Sequence, residues 1–224
     1  MKKIVLLITI AGLAISMIAA TPSHNIAEYT YNVAGANGAR GTGFIVNYKL
    51  STYFITNWHV CNHTIDNHLQ VYVNPEKSVS LEIIKQDSVH DLCAAAMRPL
   101  KGIPVANYSY YDQYAESAGF PGGSKDVVST SGIILKELDV MLNYPRPIQG
   151  CPKNTQAVIR DKNVLYCRIK MRVQDTTLPG RPGVSGSPVV DSKGNLIGVV
   201  NSTNDNTVSM IPLRHVREFL DSLK

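Results

Sequence analysis

The chain has 224 residues, 44% of them hydrophobic and 17% charged, with a formal net charge of +5. That length allows one large domain or two small ones, and the composition excludes an intrinsically disordered chain. The charge excess is weak, and no Lys/Arg cluster interleaved with aromatics occurs, so a nucleic-acid partner is not expected.

The N-terminus reads as a secretory signal. Lys2 and Lys3 form a positive start, Ile4 to Ile18 is apolar apart from Thr9 and Ser16, and Ala19 and Ala20 precede the polar Thr21-Pro-Ser23. Cleavage after Ala20 removes two lysines and no acid, which takes the net charge from +5 to +3. An uncleaved anchor is the alternative, but Ile4–Ala20 sits at the short limit of the roughly 17–25 residues that span a bilayer. The expected product is a secreted or periplasmic protein with no stable membrane span after cleavage.

Short strand-like runs dominate the rest of the chain. Thr42–Val46 and Tyr53–Thr56 flank the polar stretch 47–52 and suit a hairpin. Leu69–Val73 and Val79–Ile84 are separated by a turn around Asn74-Pro75-Glu76. Asp91–Met97 is a further apolar stretch, too short for a typical helix. Tyr108, Tyr110, Tyr111 and Tyr114 mark a polar, tyrosine-rich boundary between halves. The second half repeats the style, with Ser117–Phe120, Val127–Leu135, Ala157–Arg160, Val164–Val173, Ser187–Val190, Leu196–Val200 and Thr207–Ile211. Only the end reads as a helix, where Val216, Phe219, Leu220 and Leu223 recur at three- and four-residue spacing after Pro212. The pattern predicts an all-β barrel or sandwich.

Four cysteines, Cys61, Cys93, Cys151 and Cys167, fit an exported chain with two disulfides. Three pairings are possible on spacing alone. No C-x-x-C occurs, so a zinc site of the finger type is not indicated. His59, Cys61 and His63 lie close in sequence, but the pattern around His59 points elsewhere, and no metal is expected.

Gly183-Val184-Ser185-Gly186-Ser187-Pro188 places a serine among glycines, between a Pro/Gly-rich loop and a strand. That context exposes a hydroxyl beside backbone N–H groups, the requirement for acyl transfer. A Gly-rich β-turn without chemistry would read similarly. A nucleophilic serine needs a base, and His59 ends an apolar strand. The base needs a buried carboxylate to set its tautomer, and Asp91 stands at the mouth of an apolar strand. Each signal alone also fits a structural residue, whereas their conjunction in the order His, Asp, Ser is specific.

At these residues the chain resembles the trypsin-like (chymotrypsin-fold) serine proteases, especially the HtrA/Deg-type and glutamyl-endopeptidase-like protease domains. Gly41-Thr-Gly-Phe-Ile-Val46, Ile55-Thr-Asn-Trp-His-Val60, His90-Asp-Leu-Cys-Ala94 and Ala118-Gly-Phe-Pro-Gly-Gly123 are similar to family segments. So are Ser129-Thr-Ser-Gly-Ile-Ile134, Gly183–Pro188, Gly194-Asn-Leu-Ile-Gly-Val-Val-Asn201 and Ile211–Leu220. The resemblance implies two antiparallel six-stranded β-barrels with a short C-terminal helix. It places His59 and Asp91 in residues 21–110 and Ser185 in residues 111–224.

The same resemblance implies a serine endopeptidase acting on protein or peptide substrates without a cofactor. Ser185 would be the nucleophile, in preference to Ser187, with His59 as general base and Asp91 as its orienter. The N–H groups of Gly183 and Ser185 would form the oxyanion hole. Val199, Val200 and Asn201 would line the substrate pocket. Because the triad brings the His59 and Asp91 segments together, it implies a Cys61–Cys93 disulfide, leaving Cys151–Cys167. A protease-fold binding protein that has lost turnover is the alternative.

Several departures carry expectations of their own. Val184 stands where digestive members have an aspartate, so activation by a freed N-terminal amine is not expected. The stretch Asp175–Gly183 is longer than usual, and Trp58 is bulkier than usual beside His59. No acid is placed to select Lys or Arg, and no histidine in 199–202 to read Glu, which points to a small or apolar substrate side chain. No PDZ-like segment follows residue 224, so peptide-regulated assembly of the HtrA kind is not expected. Asn62-His-Thr64 and Asn201-Ser-Thr203 are glycosylation sequons, but glycans there would obstruct the site, which leans toward a bacterial or phage-encoded origin.

Overall fold

The structure is a computed structural model that describes residues 25–34, 40–62, 66–145, 151, 156–160, 164–204 and 206–223. The signal segment 1–20 and the turn at 161–163 lie outside the described residues.

The first sheet contains β1 (Thr30–Ala34), β2 (Arg40–Tyr48), β3 (Ser51–Thr56), β4 (His68–Asn74), β5 (Lys77–Asp87), β6 (Leu92–Ala96) and β7 (Ile103–Pro104). Six strands in the order β1-β4-β5-β6-β3-β2 close into a barrel through β1–β2 pairing, and β7 adds in parallel to β2. A four-residue helical turn, α1 (Trp58–Cys61), follows β3.

The second sheet contains β8 (Tyr114–Gly119), β9 (Val128–Pro145), β10 (Gln156–Arg160), β11 (Val164–Pro179), β12 (Pro188–Val190), β13 (Leu196–Asn204) and β14 (Thr207–Pro212). Its order β11-β14-β13-β12-β8-β9 forms a second six-strand ring through β9–β11 pairing, and β10 extends β11 on the outside. Helix α2 (Leu213–Asp221) ends the described chain. The implied all-β, chymotrypsin-like arrangement of two six-strand rings and a short C-terminal helix is therefore present.

The near-continuous apolar runs have a simple cause. Successive strand residues point to opposite faces, and several strands here are buried on both. Ile45 and Phe54 fill the first barrel with Leu69, Val71 and Ile83. Their neighbours Phe44, Val46 and Ile55 face the other way, into a core shared with Leu196, Val199 and Ile211 of the second ring. Ile197 and Val200 fill the second ring with Ile134, Leu178 and Val208. Helix α2 buries Val216, Phe219 and Leu220 in the shared core. It ties to the first barrel through Tyr48, whose hydroxyl donates to Asp221 at 3.0 Å, and through Lys85, which donates to the Ser222 carbonyl at 3.0 Å.

Two elements exceed the sequence expectation. Strand β9 continues to Pro145 and β11 to Pro179, paired from Tyr166↔Pro145 to Thr176↔Ile134. Residues 136–143 hold Leu138, Val140, Met141 and Leu142 among polar side chains without strict alternation, and this part of the ribbon takes its order from cross-strand pairing with β11. The stretch that reads as a lengthened loop before Ser185 is partly strand: Asp175 pairs with Ser209 and Pro179 with Thr207 on β14.

Candidate active site

The chain leaves β3 at Thr56 and turns through Asn57 into α1, which sets His59 at the barrel rim with 19% of its side chain exposed. Asp91 sits in the turn between β5 and β6 and is fully buried. Its φ of 55° is a left-handed conformation, in which aspartate is over-represented among non-glycine residues. The Asp91 carbonyl accepts the Trp58 N–H at 3.1 Å and the Asn57 amide at 3.0 Å.

The Asp91 carboxylate is likewise enclosed by donors. Oδ1 accepts the His59 backbone N–H at 2.9 Å, and Oδ2 lies 2.8 Å from His59 Nδ1. Oδ2 also accepts the Asn201 side-chain amide at 2.6 Å. An ionised carboxylate is acceptor-only, so this contact assigns the proton to Nδ1 and leaves Nε2 as the basic nitrogen.

Two disulfides are formed. Cys61–Cys93 joins α1 to β6 with Cα atoms 6.5 Å apart, and Cys151–Cys167 holds residue 151 against β11 with Cα atoms 5.4 Å apart. Cys61 is thereby no thiolate ligand for a metal beside His59. Replacing Cys61 and Cys93 together by serine is expected to cost about 2–4 kcal/mol of stability, read by urea denaturation. A variant as stable as the parent would show that the bridge carries no such weight.

Ser185 lies in the loop between β11 and β12, and both rings hold that loop. Its carbonyl accepts the Thr42 N–H at 2.8 Å, and the Gly186 N–H donates to Val200 at 2.9 Å. The Thr42 hydroxyl donates to the Gly183 carbonyl at 2.9 Å and accepts the Phe120 N–H at 3.1 Å. Ser185 Oγ donates to the Asn201 carbonyl at 3.2 Å. Asn201 therefore meets Asp91 through its side chain and Ser185 through its backbone.

Gly183 and Gly186 have φ of 99° and 87°. A Cβ would stand 2.6 Å from the Phe120 carbonyl oxygen at Gly183 and 2.1 Å from the Thr42 carbonyl oxygen at Gly186. Among the described residues, neither the Gly183 nor the Ser185 N–H donates to a protein acceptor, so both remain available to a substrate oxygen.

The other candidates separate. Ser187 is fully buried, and its hydroxyl, which has no hydrogen-bond partner among the described residues, lies against Gly119. Val199 packs in the core between the rings. Val200 lines a cavity of about 630 Å³ beneath the serine loop, with Val128, Thr130, Arg181, Val184 and Val208, and among the described residues no carboxylate lines it. The bulk of Trp58 is accommodated by the long ribbon: it is buried against Ile169 of β11 and Leu142 of β9. Asn201, a pocket residue on sequence, and Thr42 are the positions whose bonding to the site has no local sequence signal. Asn201 is also buried to 1% exposure, which closes its sequon to a glycan.

Four residues before Asp91, burial pushes the Asp87 carboxyl up, but hydrogen bonds from His90 and Val89 outweigh it and hold the group below the usual carboxylate range. The same contact raises His90 above the ordinary histidine value, against its burial.

The sequence profile of the trypsin-like peptidase domain matches residues 41–199. Among curated proteins no sequence matches the chain. Among solved structures, the active form of the Rv3671c protease of Mycobacterium tuberculosis is similar at 20% identity, covering 88% of this chain and 82% of that chain with a TM-score of 0.64. Its inactive form gives 18% identity, 88% and 90% coverage, and a TM-score of 0.62. The serine endoprotease of Yersinia pestis gives 18% identity, 88% and 63% coverage, and a TM-score of 0.61. At these identities the structural likeness speaks to the fold, and the profile match over most of the chain speaks to descent. This chain belongs to the trypsin-like peptidase domain family.

Proposed function

We propose that the protein is an exported serine endopeptidase that hydrolyses peptide bonds through an acyl-enzyme on Ser185. The observation that carries this reading is the bonding of the buried Asp91 carboxylate to His59 Nδ1, with Asn201 bonded to Asp91 and to Ser185. In the proposed reaction, Ser185 Oγ rotates from the Asn201 carbonyl toward His59. It attacks the peptide carbonyl as His59 Nε2 takes its proton. The oxyanion is received by the Gly183 and Ser185 N–H groups. His59 then protonates the leaving amine, and a water molecule, deprotonated by His59, releases the acid and regenerates Ser185. Asp91 keeps the tautomer and stabilises the imidazolium.

Residues 1–20 are the proposed signal, with 21–110 and 111–224 as the two halves. Two disulfides support maturation in an oxidising compartment, secreted or periplasmic. The valines Val128, Val184, Val200 and Val208 around the cavity beneath the serine loop support cleavage after a small or apolar side chain. Among the described residues no helix is long and apolar enough to cross a membrane.

A fluorophosphonate probe tests the reading. Labelling of the folded protein, absent in Ser185→Ala, is expected. A folded protein that stays unlabelled would instead be a protease-fold binding protein. Gly183→Ala offers a second test, since a side chain there meets the Phe120 carbonyl. It is expected to lower kcat by about 10²–10³-fold through the displaced oxyanion donor, with KM little changed.

A further inference from the structure

Away from the triad, three metal-ligating side chains from distant segments converge. His90 lies in the turn between β5 and β6, while His215 and Glu218 stand one helical turn apart on α2. One ligand atom from each of the three lies within 4.8 Å of the other two. The imidazole rings stack, with centroids 4.3 Å apart and planes 22° apart. The rings are mostly buried, with side-chain exposures of 28% for His90 and 18% for His215. Nδ1 of His90 lies 2.8 Å from Asp87 Oδ2, and Nδ1 of His215 lies 3.0 Å from Glu218 Oε2.

We propose that His90, His215 and Glu218 form a zinc(II) site that ties the turn carrying Asp91 to the C-terminal helix. Two imidazoles and a carboxylate are a donor set for zinc, with water completing a tetrahedron. Calcium and magnesium take oxygen ligands and fit this set poorly. Zinc bonds of about 2.0–2.2 Å set ligand atoms roughly 3.3 Å apart, and zinc lies in the plane of each imidazole it binds, so binding requires the stacked rings to rotate apart about their side-chain torsions until one nitrogen of each points at the same ion. A carboxylate on the outer nitrogen of a ligating imidazole fixes its tautomer and raises its basicity, and Asp87 is placed to do this for His90. The charges also balance. Asp87 and Glu218 carry two negative charges, while the nearby Arg214 is already paired through both terminal nitrogens with Glu137. Because His90 adjoins Asp91, zinc there would brace the turn whose carbonyl holds α1. The site is independent of whether Ser185 acylates.

Calorimetric titration of the chelator-treated protein with zinc chloride tests this at neutral pH. One zinc ion per chain is expected, with micromolar or tighter affinity. The same binding is expected in His59→Ala, which removes the competing imidazole of the triad. His215→Asn and Glu218→Gln should each weaken it at least tenfold, and His68→Asn should leave it unchanged. Zinc, and not magnesium, should raise Tm in the parent but not in Glu218→Gln, an exposed position whose replacement tests the site if His215→Asn does not fold. Cobalt(II) should give visible absorption that zinc abolishes. Absence of zinc binding, or binding that disappears in His59→Ala and persists in Glu218→Gln, would overturn the proposal.

Discussion

Replacing Ser185 by alanine is expected to lower kcat/KM by roughly 10⁶-fold, the scale seen when the nucleophile of a comparable triad is removed, with Tm nearly unchanged. The local reason for the small effect on stability is that, among the described residues, Ser185 Oγ makes one hydrogen bond, to the Asn201 carbonyl, at a part-buried site. The companion variant is Ser187→Ala. Its hydroxyl is buried without a partner among the described residues, and deleting an unsatisfied buried hydroxyl is neutral or stabilising. Activity is expected to stay within about twofold, because no proton-transfer partner is lost. Hydrolysis of a peptide amide and a thermal melt read both variants. An inactive but folded Ser187→Ala beside an active Ser185→Ala would reverse the assignment.

Asp91→Asn should lower kcat about 10⁴-fold while the fold survives. Both carboxylate oxygens accept from donors: Oδ1 from the His59 backbone N–H, and Oδ2 from His59 Nδ1 and the Asn201 amide. An asparagine amide brings its own N–H group into that ring of donors. Pointed at Nδ1, it makes Nδ1 the acceptor and moves the proton to Nε2, where it blocks removal of the Ser185 proton. Pointed at the His59 backbone N–H, it sets two donors face to face. Steady-state kinetics against a Ser185→Ala baseline checks this. A variant with near-parental kcat would show that Asp91 does not orient the base.

Much of the fold was legible because its determinants are local. The hairpin β2–β3 announces itself in a polar stretch between apolar runs, and the chain turns there at Lys49-Leu50 with Tyr48 opposite Ser51. The glycines of 183–188 were legible for a related reason, since positive φ and close backbone approach leave few alternatives. The ribbon was harder. Residues 136–143 of β9 show no strong alternation, and their order comes from pairing with β11.

The two-barrel arrangement was implied by the family resemblance, whereas local sequence was enough for the all-β class, the order of the candidate triad segments and the serine whose neighbours are glycines. Each rests on a short stretch of chain whose conformation its own residues restrict. Long-range packing supplied the rest. It put the Asn201 amide on Asp91, 110 residues away in the chain, buried Ser187, sent Val199 to the core and Val200 to a cavity, and stacked His90 on His215. Those outcomes depend on strand register and ring closure, where a shift of one residue turns every side chain to the opposite face, and no local pattern encodes which distant strand supplies the neighbour.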